Sequence, residues 1–457
     1  MKIRFLSIAC ACLLCGGMLK AQELSELEEV DARVGAIENS VRLLQKFKVS
    51  GYIQAQYQSA QTDADGNNFK LAVGRNGYEQ AELNNFSRFG LRRGRFKFTY
   101  EDGIASGVVQ IDVTDKGISQ SISSTQVDGR NVVMFKDIYL QIKDPWFGTN
   151  LLKAGIFDRT FGYEIAYSSS RRESPERARI FQTLFPDERD LGVALTLQPA
   201  KSSPLNIFKL EAGLFAGNGI KPMLSSSMDF IGHLTVNKQI NDNTMIAGGV
   251  STYLGNVLTS GAAVGDMSEY FEMKDNKWTS AGWCRYAKRR YFGLDAQFST
   301  MSAAGLTQIR GEYIFGEHAQ NAAGSWNYKF LTAVQPGPVY MRKISGGYIM
   351  ATQDLGTSPI TAIIKYDWYN PNKEISGNDI GTTTATTTND ITKTIVGLGA
   401  YWRINPALRL TAYYDIVGNE TTDQMKETKD ANGKVTAYGW DEKRKANVFT
   451  LRLQYKF

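Results

Sequence analysis

The chain has 457 residues, 42% of them hydrophobic and 11% aromatic, with 52 Lys and Arg against 46 Asp and Glu. A formal charge of +6 over this length is too weak to imply a nucleic-acid partner. Two histidines and four cysteines exclude a zinc-rich or disulfide-stapled scaffold.

The first predicted element is a leader. "MKIRFLSIACACLLCGGMLKAQE" places Lys2 and Arg4 before an apolar run from Phe5 to Leu14, followed by small residues up to Ala21. Residues 1–21 therefore read as a secretory signal peptide, its apolar run too short to cross a membrane as a helix. Cys10, Cys12 and Cys15 leave with it, and so do Lys2, Arg4 and Lys20, which lowers the formal charge to +3. Cys284 then remains without a disulfide partner. Beyond residue 21 no segment approaches the roughly 20 apolar residues of a transmembrane helix.

Residues 22–46 form the second element. Leu27, Val30, Val34, Ile37, Val41 and Leu44 follow a 3-4-3-4-3 spacing, which predicts a periplasmic helix with one apolar seam. Such a short helix needs a partner, either another copy in a coiled coil or a surface on which it lies.

From residue 47 to 457 the period changes to two. In "FKVSGYIQAQYQ", Ile53, Ala55 and Tyr57 alternate with Gln54, Gln56 and Gln58. In "RRGRFKFTY", Phe96, Phe98 and Tyr100 oppose Arg93, Arg95 and Lys97. In "NVFTLRLQYKF", Phe449, Leu451, Leu453, Tyr455 and Phe457 oppose Thr450, Arg452, Gln454 and Lys456. Each strand thus has a dry face and a wet one. About sixteen such segments are separated by gaps that alternate in length. Long polar gaps fall near 59–89, 115–131, 158–189, 217–228, 255–289, 317–338, 370–391 and 418–446. Short gaps fall at 101–103, 144–149, 199–204, 239–243, 301–305, 351–359 and 404–407. A soluble sandwich has no reason to sort its connections this way. A transmembrane antiparallel β-barrel does, with loops at one rim and turns at the other. An even strand number puts both termini on the periplasmic side of a bacterial outer membrane. The outer face of the last strand would meet lipid and its edge would pair with the first strand.

Catalytic motifs are missing. There is no Gly-x-Ser-x-Gly, no phosphate-binding Gly-x-x-x-x-Gly-Lys and no dinucleotide fingerprint, so neither an enzyme nor a cofactor is expected. No metal site is expected either. "DADGNN" at 63–68 lacks the later Glu of a calcium loop and reads as a turn. His233 and His318 read as ordinary lumen or rim residues. Asp112, Arg310 and Glu312 read as solvated lumenal charges.

Eight segments also carry a resemblance: "FGLRRGRFKFTYEDG", "FKDIYLQIK", "LLKAGIFDRTFGYE", "SSSRRESPERARIF", "ERDLGVAL", "YFGLDAQF", "QIRGEYIFGE" and "IIKYDWYNPN". Together they resemble the phosphate-selective porins O and P of Gram-negative outer membranes. The resemblance implies a sixteen-stranded barrel, a homotrimer, and a third loop (about 158–189) folded inward to narrow the pore. By position it implies that Arg93, Arg95 and Lys97 line the wall, and that Arg171, Arg172, Arg177, Arg179 and Arg189 line the path from the loop. Three like charges on one strand face repel each other, so such a row is expected to serve an anion. Between Gly162 and Asp190 those five arginines stand against Glu164, Glu173, Glu176, Asp187, Glu188 and Asp190, leaving the segment at −1. The expected function is a passive diffusion channel in outer-membrane lipid, passing small hydrophilic solutes with a preference for anions such as phosphate. The alternative is a surface adhesin or glycan-binding protein anchored by its barrel.

Overall fold

The computed structural model describes residues 26–61, 85–113, 133–186, 188–220, 223, 225–259, 267–322, 337–429, 431, 435–437 and 439–457. The expected signal peptide and the "DADGNN" turn lie outside the described residues, as does Asp187. The chain divides between Lys48 and Val49. Before the division is helix α1 (Glu26–Lys46), with Lys46 in its last turn, where a cation complements the helix dipole. Val34, Ile37, Val41 and Leu44 are exposed along it.

Most of the described residues after it are in strands. Its first strands are β1 (Phe47–Gln61), β2 (Asn85–Asp102), β3 (Ala105–Val113), β4 (Val133–Lys143) and β5 (Leu151–Asp158). Then come β6 (Arg189–Leu197), β7 (Phe208–Phe215), β8 (Asp229–Asn241), β9 (Thr244–Leu258), β10 (Ser268–Lys274) and β11 (Lys277–Cys284). They are followed by β12 (Tyr286–Ser302), β13 (Gly305–Gln320), β14 (Val339–Asp354), β15 (Ile360–Asn370) and β16 (Lys393–Arg403). The last are β17 (Leu408–Asn419), β18 (Thr428–Lys429), β19 (Val435–Ala437) and β20 (Val448–Lys456). Leaving out the hairpins β10–β11 and β18–β19, sixteen antiparallel strands form a closed barrel. Their connections alternate between long and short, in the order the sequence spacing predicts. Closure joins β20 to both β17 and β1, with Gln54 opposite Gln454 and Ala55 opposite Leu453. Gly51 and Phe457 exchange two backbone hydrogen bonds of 2.9 and 3.0 Å, so the last residue is tied into the seam.

The two faces of the strands differ as a membrane requires. Leu140, Leu195, Val250, Leu294, Ile349 and Leu453 all point outward and are exposed, a pattern that would aggregate in water. Outward aromatics near strand ends lie side by side, with Tyr366 and Trp368 centroids 5.6 Å apart and Tyr455 and Phe457 6.1 Å apart. The inward face departs from expectation. Gln54, Gln56, Gln58, Thr450, Arg452 and Gln454 are buried rather than wet. For Gln54, Arg452 and Gln454 the reason is the segment between β5 and β6, whose contacts are described below.

At the long-loop rim three connections pack into a body of their own. The β10–β11 hairpin turns through Asp275 and Asn276, both in the left-handed region (φ 48° and 58°), which suits a two-residue hairpin. Its strand β10 pairs in parallel with β14 through Tyr270, Phe271 and Glu272. Met273 there joins Ile375, Ile380 and Ile391 in a buried cluster, flanked by Trp278, Met425 and Trp440. Beside it, Arg342 and Asp390 form a fully buried ion pair of 2.7 Å, with the guanidinium 5.3 Å from the Trp278 ring.

Candidate functional site

Residues 159–188 connect β5 to β6 and run along the inward-facing side chains of the barrel. Their apolar residues determine one side of the contact. Phe161, Ile165, Ala178, Ile180, Phe181, Leu184 and Phe185 are buried, the last part of this run being the short helix α2 (Arg179–Leu184). They share one cluster with inward residues of β8, β9, β12, β13 and β14, among them Ile231, Tyr253, Tyr291, Ile314 and Tyr348. Phe185 lies edge-on to Tyr253 at 6.0 Å and to Tyr291 at 5.8 Å, and Phe181 edge-on to Tyr348 at 6.1 Å. Such ring pairs add to what apolar burial already contributes. At the start of the run, Glu312 on β13 accepts the backbone N–H groups of Tyr163 (2.8 Å) and Glu164 (2.6 Å). Gly162 beside it has φ 62°, and a Cβ there would collide with the Glu312 carboxylate.

The other side of the contact is ionic. Arg92 on β2 donates to both oxygens of Glu176 (2.8 and 2.9 Å), and Arg452 on β20 donates to the first of them (2.9 Å). Arg93 reaches Glu176 at 3.3 Å. Burial pushes the Glu176 carboxyl up, but Arg92, Arg93 and Arg452 outweigh burial and hold it well below the usual carboxylate range. Arg310 on β13 grips Glu173 through both terminal nitrogens, one of them at 3.2 Å. Arg409 on β17 donates to the carbonyls of Arg171 and Arg172 at 3.3 and 2.9 Å. Gln54 and Gln454 donate to the carbonyls of Ser169 and Ser170. The segment is thus fastened to the wall on β1, β2, β13, β17 and β20.

The sequence candidates divide into three groups. Arg93 and Arg95 face inward on β2 and meet this segment. Arg93 also donates to Gln54 (2.8 Å), and Arg95 bonds Asp112 (2.9 Å) and the Ser169 hydroxyl (3.1 Å). Their mutual repulsion is therefore offset by acids, and Asp112 is buried with Arg95 rather than solvated. Arg310 and Glu312 are likewise engaged by the segment. Arg177 and Arg189 meet elsewhere, at Glu188. Arg177 binds Glu188 and the carbonyls of Glu164, Ile165 and Tyr167; Arg189 binds Glu188 (2.6 Å) and Asp137 (2.8 Å). Burial pushes the Glu188 carboxyl up, and the two arginines pull it well below the usual range. Arg179 is buried beside Lys365, Asp367 and Asp415 around an enclosed cavity of about 20 Å³.

Three candidates have no ion pair with an acid among the described residues. Arg171 is exposed. Arg172 is 2% exposed, yet none of its three guanidinium nitrogens has a hydrogen-bond partner. Burial, with Arg177 nearby, lowers its pKa to about 10, so it stays charged at neutral pH. Lys97 forms no hydrogen bond or ion pair among the described residues. Sequence reasoning missed Lys153 on β5, which also faces inward, its ammonium 4.9 Å from the Tyr139 ring and 5.2 Å from Phe157. It also missed Arg92, because neighbours on a regular strand point to opposite faces and the alternation assigned only Arg93 inward. His233 and His318 are structural: His233 bonds Asp295 at 2.8 Å and His318 bonds the Tyr291 hydroxyl.

A closed sixteen-strand barrel with an apolar exterior, a polar interior and a loop fastened across it has the fold of an outer-membrane porin. No protein-family model matches the chain, and no curated protein matches it in sequence. Among solved structures it is similar to OprB of Pseudomonas putida at high pH, with TM-score 0.50 and 10% identity over 92% of this chain and 96% of that one. It is also similar to an anion-selective porin from Comamonas acidovorans (TM-score 0.49, 10% identity, 90% and 99% covered). The outer membrane channel DcaP of Acinetobacter baumannii gives TM-score 0.48 at 11% identity, with 90% and 97% covered.

Proposed function

We propose that this protein is a passive outer-membrane diffusion channel for small hydrophilic solutes, preferring anions, without catalysis, and assembled as a homotrimer. It would be related in kind to the phosphate-selective porins its strands resemble, with both termini in the periplasm and the long loops outside. The observation that carries the anion preference is the set of inward cations without an acid partner among the described residues, Lys97 and Lys153 on the wall and Arg172 in the loop. Most of the arginines able to hold a phosphate with two parallel hydrogen bonds already hold carboxylates. Phosphate therefore competes only weakly with chloride.

Ion selectivity in a planar bilayer tests this. Lys97→Ala combined with Lys153→Ala should shift the zero-current potential in a salt gradient towards cations. The shift should shrink in molar salt, where the screening length falls to about 3 Å from about 8 Å at physiological strength. An unchanged potential removes these lysines from the mechanism, and sub-millimolar phosphate block of chloride current would restore a phosphate-specific reading. The long-loop body around Met273 and Ile380 favours a second reading, a surface-binding protein whose barrel is an anchor. A barrel that does not conduct in the same bilayer would support it.

A further inference from the structure

Where the β16–β17 turn meets β20, the inward face forms an open recess of about 430 Å³ that Ser170 of the third long loop also lines. Tyr401, Arg403, Asn405, Arg409, Lys456 and Ser170 contribute to its wall, and none of the lining residues is acidic. That sets it apart from the loop contacts at Glu173, Glu176 and Glu188, where arginines face carboxylates. Arg403 reaches an acid only outside the recess, Asp354 at 3.1 Å. Arg409 directs its terminal nitrogens to loop carbonyls and to Gln454, and so keeps its charge beside the recess without an acid on it. The Lys456 ammonium has no partner among the described residues. Arg403 and Arg409 lie 5.5 and 5.2 Å from the Tyr401 ring, so two guanidinium groups and a ring flank one space.

We propose that this recess binds an organic oxyanion carried on an aromatic ring, a carboxylate or a phosphate. Lys456, which is exposed, supplies both the charge and the donors for the oxyanion. Guanidinium planes and Tyr401 supply flat, polarisable faces for the ring. The volume sits within the range of small-molecule sites, roughly 300–1,000 Å³, and a bare inorganic phosphate leaves most of it empty. All these groups lie on the inward face, so the ligand arrives from the water-filled side and not from lipid. The proposal is separate from conduction: the site exists whether or not solutes traverse the barrel.

Isothermal titration of the detergent-solubilised full chain at low salt tests it, with phenyl phosphate, inorganic phosphate and phenol as probes. Phenyl phosphate should bind at least ten-fold more tightly than either of the others. Lys456→Gln and Tyr401→Leu should each weaken phenyl phosphate at least five-fold, while Lys456→Arg should retain most of the binding. Heat-dependent gel mobility confirms that each variant forms a barrel. Equal affinity for phenyl phosphate and inorganic phosphate overturns the proposal, and so does unchanged binding in a folded Lys456→Gln variant. A barrel that binds phenyl phosphate but carries no current would fault the channel reading and leave this one intact.

Discussion

Glu176 receives Arg92 and Arg93 from β2 and Arg452 from β20, strands that both pair with β1. Removing one partner of such a buried network leaves the others uncompensated, at a cost of roughly 3–5 kcal/mol. Glu176→Gln should therefore loosen the third long loop, and single-channel records should show larger and noisier conductance. The same ion pairs predict a pH response. Because the folded-state pKa is depressed, their stabilisation is complete above the ordinary carboxylate pKa. It is lost only as pH falls through the depressed value. Conductance should thus stay constant from pH 7 to pH 5. At the opposite face, Leu453 pairs with Ala55 and Leu410 and points outward. Leu453→Arg should cost about 2–4 kcal/mol if it meets the bilayer midplane, read as a lower midpoint in denaturant. No loss would place this residue away from lipid.

Among the elements, α1 carries the most exposed apolar side chains that are not on a strand. Its seam at Val34, Ile37, Val41 and Leu44 keeps the spacing of a coiled coil, and helices in proteins draw most of their stability from packing such a face. If copies pair through it, deleting residues 23–45 should lower the dissociation temperature of the oligomer on semi-native gels and leave single-pore conductance nearly unchanged. An unaltered oligomer would assign the helix to another surface. The strands themselves were legible because each side chain obeys a period of two, as at Ile53–Gln54–Ala55–Gln56. The rim body was not. Ile375, Ile380 and Ile391 are scattered through a Thr-rich loop, and their partners Met273 and Met425 come from other loops with no shared period. The ion pairs of the third long loop were half legible: its arginines and acids could be counted, but the partner of each is on a distant strand.

For the whole molecule, strand number and the alternation of loops and turns were readable in the sequence, because both follow from one period and from turn chemistry. The filling of the barrel was not, since Gln54, Gln454 and Arg452 look like water-facing residues until a distant segment covers them. Sidedness is testable at this scale. An epitope inserted near Gly377, between β15 and β16, should be labelled on intact cells, and one near Ser203, between β6 and β7, should not. Equal labelling at both would overturn the orientation.

The seam between β1 and β20 also governs how the barrel can be made and broken. Gln54 donates to Gln454 across 400 residues of chain. Until β20 arrives, the growing sheet exposes two unpaired edges, each a template for wrong partners. Closure is then the longest-range and slowest contact to form, so assembly should proceed without a stable half-barrel. After closure every barrel strand has two neighbours, and chain continuity matters much less. A protease cut in a long loop, such as 371–392, should leave the barrel intact on a gel. Loss of β20 should abolish it, although both lesions sever the same polymer.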